Sequence, residues 1–179
     1  MTYPTNPQPK RPDRLMTDAE ANALAALASQ RRKILEIGPW RGGSTLAMAQ
    51  AAPHALIVSV DPHTQHETAN RPDFHSWGPY LEMLRDFDLW NVIPIRAYSA
   101  DVPKISRTWD FDMVFLDGDH TLWGMRRDLI MLREICKPGT VLACHDFDHP
   151  DFPGIRQALE EARCPQDGLV DTLWIGRLH

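Results

Sequence analysis

The amino-acid sequence predicts a single α/β domain built on a doubly wound, mostly parallel sheet, and three observations carry that expectation. Apolar strand-like runs alternate with helical segments over most of the chain. The run Ile34-Leu35-Glu36-Ile37-Gly38 reads as a buried strand that enters a glycine turn and then opens a helix. Four of the five clear strands end in polar clusters, at Gly38, Asp61, Asp117 and His145-Asp146, which is where open α/β sheets gather their ligands.

The elements follow in order. Residues 1–16 carry Pro4, Pro7, Pro9 and Pro12 without periodicity, which marks a surface arm, and residues 17–179 form the domain. Thr17-Asp18-Ala19-Glu20 fits a capping box, so the alanine-rich stretch to Ser29 is a helix. Lys33 to Gly38 is the first strand, Gly43 to Ala51 the first crossover helix and Ala55 to Val60 the second strand. Residues 62–75 are polar and form a long loop, a feature that in compact domains often serves function. Tyr80 to Leu89 has helical spacing, and Asn91 to Arg96 is a third strand. Phe111 to Leu116 is a fourth, running into Asp117-Gly118-Asp119-His120. Leu122 to Ile135 is an amphipathic helix closed by Lys137-Pro138-Gly139. Thr140 to Cys144 is a fifth strand, Gly154 to Arg163 a helix, and Leu169 to Leu178 holds the last two strands in abbreviated form.

Composition narrows the function. The 179 residues suffice for one domain with a sizeable core, and 43% hydrophobic with 24% charged residues is ordinary for a soluble globular protein. A formal charge of -5 without a basic stripe argues against nucleic acid as a partner. No apolar run approaches the roughly 18 residues needed to cross a membrane. The polar, proline-rich N-terminus does not read as a signal peptide. Cys136, Cys144 and Cys164 are odd in number and lack CxxC spacing. They read as reduced, buried thiols of a cytoplasmic protein.

The glycine turn suits a nucleoside, because glycines let backbone approach a ligand and Asp61 can accept hydrogen bonds from a ribose diol. The dinucleotide fingerprint G-x-G-x-x-G fails, since Pro39 and Trp40 follow Gly38. Glu36 on a buried strand needs a hydrogen-bonding or cationic partner and disfavours a pyrophosphate. Both points weigh against a nicotinamide-dependent oxidoreductase. A zinc hydrolase built on His145-Asp146-Phe147-Asp148-His149 would leave the turn and Asp61 unexplained.

At these motifs the chain resembles class I S-adenosylmethionine (SAM)-dependent methyltransferases, which have a Rossmann-like fold. More narrowly, it resembles the branch of macrocin-type sugar O-methyltransferases and cephalosporin-hydroxylase-like proteins. The residues that carry the likeness are Glu36 to Ser44, Val60-Asp61-Pro62-His63, Phe115 to His120, Lys137-Pro138-Gly139 and His145-Asp146. The resemblance implies that Gly38, Trp40, Gly42, Gly43 and Ser44 contact the methionine part of SAM, with Glu36 and Asp117 also at the cofactor. It places Asp61 on the ribose hydroxyls and Ser99, Ala100 and Asp101 near the adenine. Trp40 stands where the wider family has its second glycine.

Metal-dependent O-methyltransferases of this kind place an acid after the fourth strand and a polar pair after the fifth. Asp117, His145 and Asp146 match those positions and imply a divalent metal, magnesium or manganese. His120 matches the residue that takes the substrate proton, or it caps the helix near Thr121. Asp119 either orients His120 or adds a third carboxylate near the metal. His63 and His66 have ligand-like spacing but read best as residues of a solvated loop. Trp77, Trp90, Trp109 and Trp174 read as packing residues, Trp40 lies near the ligand, and Trp123 is a candidate wall of the acceptor site.

The leading expectation is therefore a SAM-dependent, metal-assisted O-methyltransferase acting on a small hydroxylated molecule, a sugar or a natural product. Its partners are that hydroxyl acceptor and a possible second copy of the chain, with no nucleic acid and no membrane. The alternative is a SAM-binding protein without turnover, a regulatory or structural subunit.

Overall fold

The structure, a computed structural model, describes residues 15–64, 76–105 and 110–179. Thr17 opens the first helix, α1 (Asp18–Ala28), through the expected capping box. Its hydroxyl accepts from the Glu20 N–H at 3.1 Å, and the Glu20 carboxylate accepts from the Thr17 N–H at 2.7 Å. Strand β1 (Lys33–Ile37) and helix α2 (Gly43–Ala51) follow as the sequence predicts, then β2 (Leu56–Asp61), α3 (Trp77–Asp86) and β3 (Val92–Arg96). A 3-10 turn over Ser99–Asp101 and the short α4 (Val102–Ile105) precede β4 (Phe111–Leu116). Helix α5 (Leu122–Ile135) passes directly into β5 (Cys136–Cys144), so Lys137-Pro138-Gly139 lies within the strand instead of after a helix cap. Helix α6 (Pro153–Glu161) leads to β6 (Gln166–Val170) and β7 (Leu173–Arg177).

The seven strands lie in the order β3-β2-β1-β4-β5-β7-β6. Strands β1 to β5 are parallel, and β7 and β6 join antiparallel. Pro94 in β3 lacks an N–H, which an edge strand tolerates. The strand order reverses between β1 and β4, so the chain leaves these neighbours in opposite directions and opens a crevice at their carboxyl ends.

Alternation along β1 sorts the core into two layers. Leu35 and Ile37 pack with Val58, Leu116, Leu129 and Ile155, under α5 and α6. Ile34 packs with Leu24, Met48, Ile57 and Tyr80, under α1, α2 and α3. Glu36 shares the second face and is fully buried. It accepts hydrogen bonds from the hydroxyls of Ser44, Thr45 and Ser59, each at 2.6 Å. One carboxyl thus ties β1 to β2 and to the first turn of α2. Burial nonetheless raises its pKa, with the three hydroxyls pulling the other way.

Among the tryptophans, Trp174 is in the core and Trp77 packs at its margin. Trp90 does not: it is 87% exposed, because the turn into β3 carries its side chain off the sheet edge. Trp109 and His66 lie outside the described residues, as do positions 1–14 of the expected arm. No described helix is long and apolar enough to cross a membrane.

Replacing Glu36 by Ala removes the acceptor of three buried hydroxyls, each worth about 1–3 kcal/mol when left unsatisfied. The expected result is a thermal midpoint lower by about 10 °C or more, read by circular dichroism. A variant that melts with the wild type would show that this carboxyl does not hold the layers together.

Candidate active site

A cleft of about 660 Å³ opens at the carboxyl ends of β1, β2, β4 and β5. That volume lies in the range typical of small-ligand sites. Its two ends are built differently.

One end is the turn after β1. Gly38 has φ +86° and cannot carry a side chain, since a Cβ there would lie 2.1 Å from the Asp117 carbonyl oxygen. Close passage of the β4 loop, more than any ligand, demands this glycine. Gly42 (φ +89°) is similar, its Cβ position being taken by Met83 and Tyr80 of α3. Trp40 sits between them at φ +48° and lines the cleft. Its N–H donates to Asp61 Oδ2 at 3.3 Å, while the His63 N–H donates to Oδ1 at 2.6 Å. Asp61 is thereby fixed at the mouth of β2, and each carboxylate oxygen keeps a lone pair for a further donor.

The other end is a cluster of acids and histidines after β4 and β5. His120 Nε2 lies 3.2 Å from Asp117 Oδ1 and 3.4 Å from Asp146 Oδ2. Asp117, His120 and Asp146 each offer one ligand atom within 4.8 Å of the others, a spacing that fits a metal ion. The ring of His120 stacks on Phe152 with centroids 4.6 Å apart, which sets its plane.

His145 is more deeply buried. Its Nδ1 is 3.5 Å from both Asp117 Oδ1 and Asp146 Oδ1, and its Nε2 is 3.4 Å from Glu20. Glu20 in turn accepts from the N–H and hydroxyl of Thr172, so α1, β5 and the β6–β7 turn meet at this one carboxylate. Burial opposes charge on both histidines, but the flanking carboxylates outweigh it, raising His120 and pushing His145 up to about 11.

Asp119 and Asp128 complete the wall. Asp119 accepts from the Thr121 N–H at 3.0 Å and lies 3.5 Å from Arg127, folded over Gly124. It serves the entry of α5 and makes no recorded contact with His120. Asp128, one turn further along α5, is 2% exposed and accepts from the Ser99 hydroxyl at 2.5 Å. Burial raises its carboxyl to about 6, against the pull of Ser99 and Arg127.

Residues 35–147, spanning the turn, Asp61 and the whole acid–histidine cluster, match the methyltransferase domain family. The chain belongs to that family. It is an enzyme of the SAM-dependent methyltransferase type. No curated protein is significantly similar to it in sequence.

Solved structures share the fold of this methyltransferase. The O-methyltransferase TomG of Streptomyces achromogenes, involved in tomaymycin synthesis and bound to SAM, is 21% identical with a TM-score of 0.67, over 91% of this chain and 80% of that one. A Bacillus cereus O-methyltransferase in complex with S-adenosylhomocysteine is 16% identical with a TM-score of 0.67, over 96% and 84%. A TDP-rhamnose 3'-O-methyltransferase of calicheamicin biosynthesis is 14% identical with a TM-score of 0.66, over 88% and 76%. At such identities the likeness is one of fold.

Of the residues that the sequence singles out, the cleft of this methyltransferase gathers Gly38, Trp40, Gly43, Ser44, Asp61, Ser99, Asp117, His120, His145 and Asp146. Glu36, Gly42, Ala100 and Asp101 do not line it. Glu36 is consumed by internal hydroxyls, Gly42 by packing against α3, and Asp101 turns outward to Lys104 at 2.7 Å. His120, rather than the expected His145, completes the metal-spaced trio with Asp117 and Asp146.

His63 is not on a solvated loop: it is 6% exposed, against Trp77 and Tyr80, with Nδ1 2.7 Å from the Ser76 hydroxyl. Trp123 is 73% exposed and lies outside the cleft, beneath the Arg126 guanidinium. Sequence reasoning missed Glu20 and Asp128. A polar residue on the apolar stripe of α5 was the available signal for the second.

Asp128 yields a stability test. Its folded pKa, about 6, exceeds the ordinary 3.8, so the folded chain holds the proton more tightly than the unfolded chain. Stability from this group is full below pH about 4 and is lost as pH rises through about 6. Asp128→Asn does not titrate. The wild type is therefore expected to lose about 2 kcal/mol relative to that variant between pH 4 and pH 7, measured by urea denaturation. A difference that stays constant with pH would contradict the raised pKa.

Proposed function

We propose that this methyltransferase moves the methyl group of SAM to a hydroxyl of a small molecule, a sugar or another natural product, with a divalent ion assisting. Its place is in the macrocin-type branch. The observation that carries the proposal is His120 set between Asp117 and Asp146, in the same cleft as the Gly38 turn and Asp61. A proton acceptor in one cleft with a turn suited to a nucleoside is what methyl transfer to a hydroxyl needs.

SAM supplies an electrophilic methyl on a sulfonium. The first turn of α2, where Gly43 and Ser44 line the cleft, presents a positive helix end suited to the carboxylate of its amino-acid portion. Asp61 accepts from the ribose hydroxyls with the lone pairs left by Trp40 and His63. In the same cleft, His120 Nε2 takes the proton of the acceptor hydroxyl. Asp117 and Asp146 stabilise the imidazolium that results, and Phe152 keeps the ring in plane.

The carboxylates of Asp117 and Asp146 are hard oxygen donors that would hold manganese or magnesium, leaving His120 Nε2 as the proton acceptor. Such an ion, when bound, lowers the pKa of a coordinated hydroxyl. The sugar class draws support from the shared fold of the TDP-rhamnose enzyme.

Isothermal titration with S-adenosylhomocysteine is expected to show binding, and NAD none. Methyl transfer to a panel of nucleotide sugars, glycosides and polyphenols is expected with manganese or magnesium and to fall on chelation. His120→Ala is expected to lower turnover by about 10²–10⁴-fold with nucleoside affinity retained. A variant with the wild-type rate and pH profile would return His120 to a structural role. Binding without transfer to any acceptor would favour a subunit without turnover.

A further inference from the structure

We infer that Asp128, held in place by the Ser99 hydroxyl, reads the exocyclic amine of the adenine ring. The inference rests on the SAM reading of the cleft.

The sheet order supplies the geography. Asp61 ends β2, and β3 lies beside β2 on the side away from β1. A nucleoside whose ribose meets Asp61 therefore extends its base toward the residues that follow β3. Tyr98 and Ser99 line the cleft there, Gly118 closes it from β4, and Asp128 reaches in from α5.

Asp101, the acid expected beside the base, is paired with Lys104 outside the cleft. Asp128 is the carboxyl that stands in its place. Oδ1 accepts from Ser99 at 2.5 Å, and Oδ2 lies over Gly118, 3.9 Å from where a Cβ on that glycine would be. Among the described residues, Ser99 is the hydrogen-bond donor to Asp128. A carboxylate has about four acceptor sites, so a buried acid with one protein donor on a cavity wall is suited to a ligand N–H. Adenine offers one in its exocyclic amine. Hypoxanthine presents a carbonyl at the same position, which would face the carboxylate oxygen and be repelled.

The test is isothermal titration at about pH 8 of S-adenosylhomocysteine and S-inosylhomocysteine, its hypoxanthine counterpart, into the wild type and Asp128→Asn, with circular dichroism to show that the variant is folded. The wild type is expected to prefer the adenine ligand by at least about tenfold, since a site built for a donor rejects an analogue lacking it. Asp128→Asn should weaken S-adenosylhomocysteine and narrow or reverse the preference, because its amide N–H can donate to the hypoxanthine carbonyl. Equal affinity of the wild type for both ligands overturns the inference without recourse to the variant. Tight adenine binding with the same ratio in Asp128→Asn overturns it while leaving the SAM reading intact. No binding of either nucleoside to the wild type overturns the SAM reading and this inference with it.

Discussion

The hydrogen-bonded carboxyl of Glu36 is the constraint on which the rest of the site depends. A carboxylate placed on a strand between two helical layers costs several kcal/mol unless its oxygens are met. Here Ser59 meets it from the neighbouring strand, and Ser44 and Thr45 from the first turn of α2. Those last two bonds fix where α2 begins relative to the end of β1. The five residues between, Gly38 to Gly42, must then cover a set distance. They do so by adopting left-handed backbone at Gly38, Trp40 and Gly42. The shape of the turn is thus imposed from beneath by an acid that lies outside the cleft.

A second balance governs the opposite end. Asp117 and Asp146 are negative groups beside two imidazoles, with Glu20 behind them. In isolation such carboxylates would repel one another. Proton uptake by His145, pushed up to about 11 once the carboxylates overcome its burial, offsets that repulsion. In the function proposed, a divalent cation would be the alternative counter-charge for the same oxygens. Both histidines line the cleft, but His145 is also anchored to Glu20 and more deeply buried, so it is the more firmly framed of the two.

Much of this was legible in the sequence because it is local. Strand and helix periods, the Thr17–Glu20 capping box and the acids at strand ends are written within a few residues of where they act. What failed was partner assignment. Gly42 has the same signature whether a ligand or Met83 occupies the space beside it. Glu36 announced a buried acid needing partners, yet nothing local says that three hydroxyls, one of them 23 residues away, supply them. His145 and His120 are equally plausible ligands on paper. Only the packing of α1 against the end of β5 brings Glu20 to His145 and commits it. Asp128 carried a single signal, a carboxyl on the apolar stripe of α5, which an amphipathic helix otherwise masks.

Glu36, Gly42 and Asp101 are spent on the protein itself, while His120 and Asp128 line the cleft. Both of these follow β4, whose end also crosses Gly38 so closely that no side chain fits there. The loop after β4 is therefore common to both halves of the site. Its backbone shapes the turn after β1 through Gly38, and its side chains furnish the acidic cluster. A change in that loop would move both ends together, whereas a change after β2 or β5 would move one. This coupling follows from the reversal of strand order between β1 and β4, which makes their ends immediate neighbours.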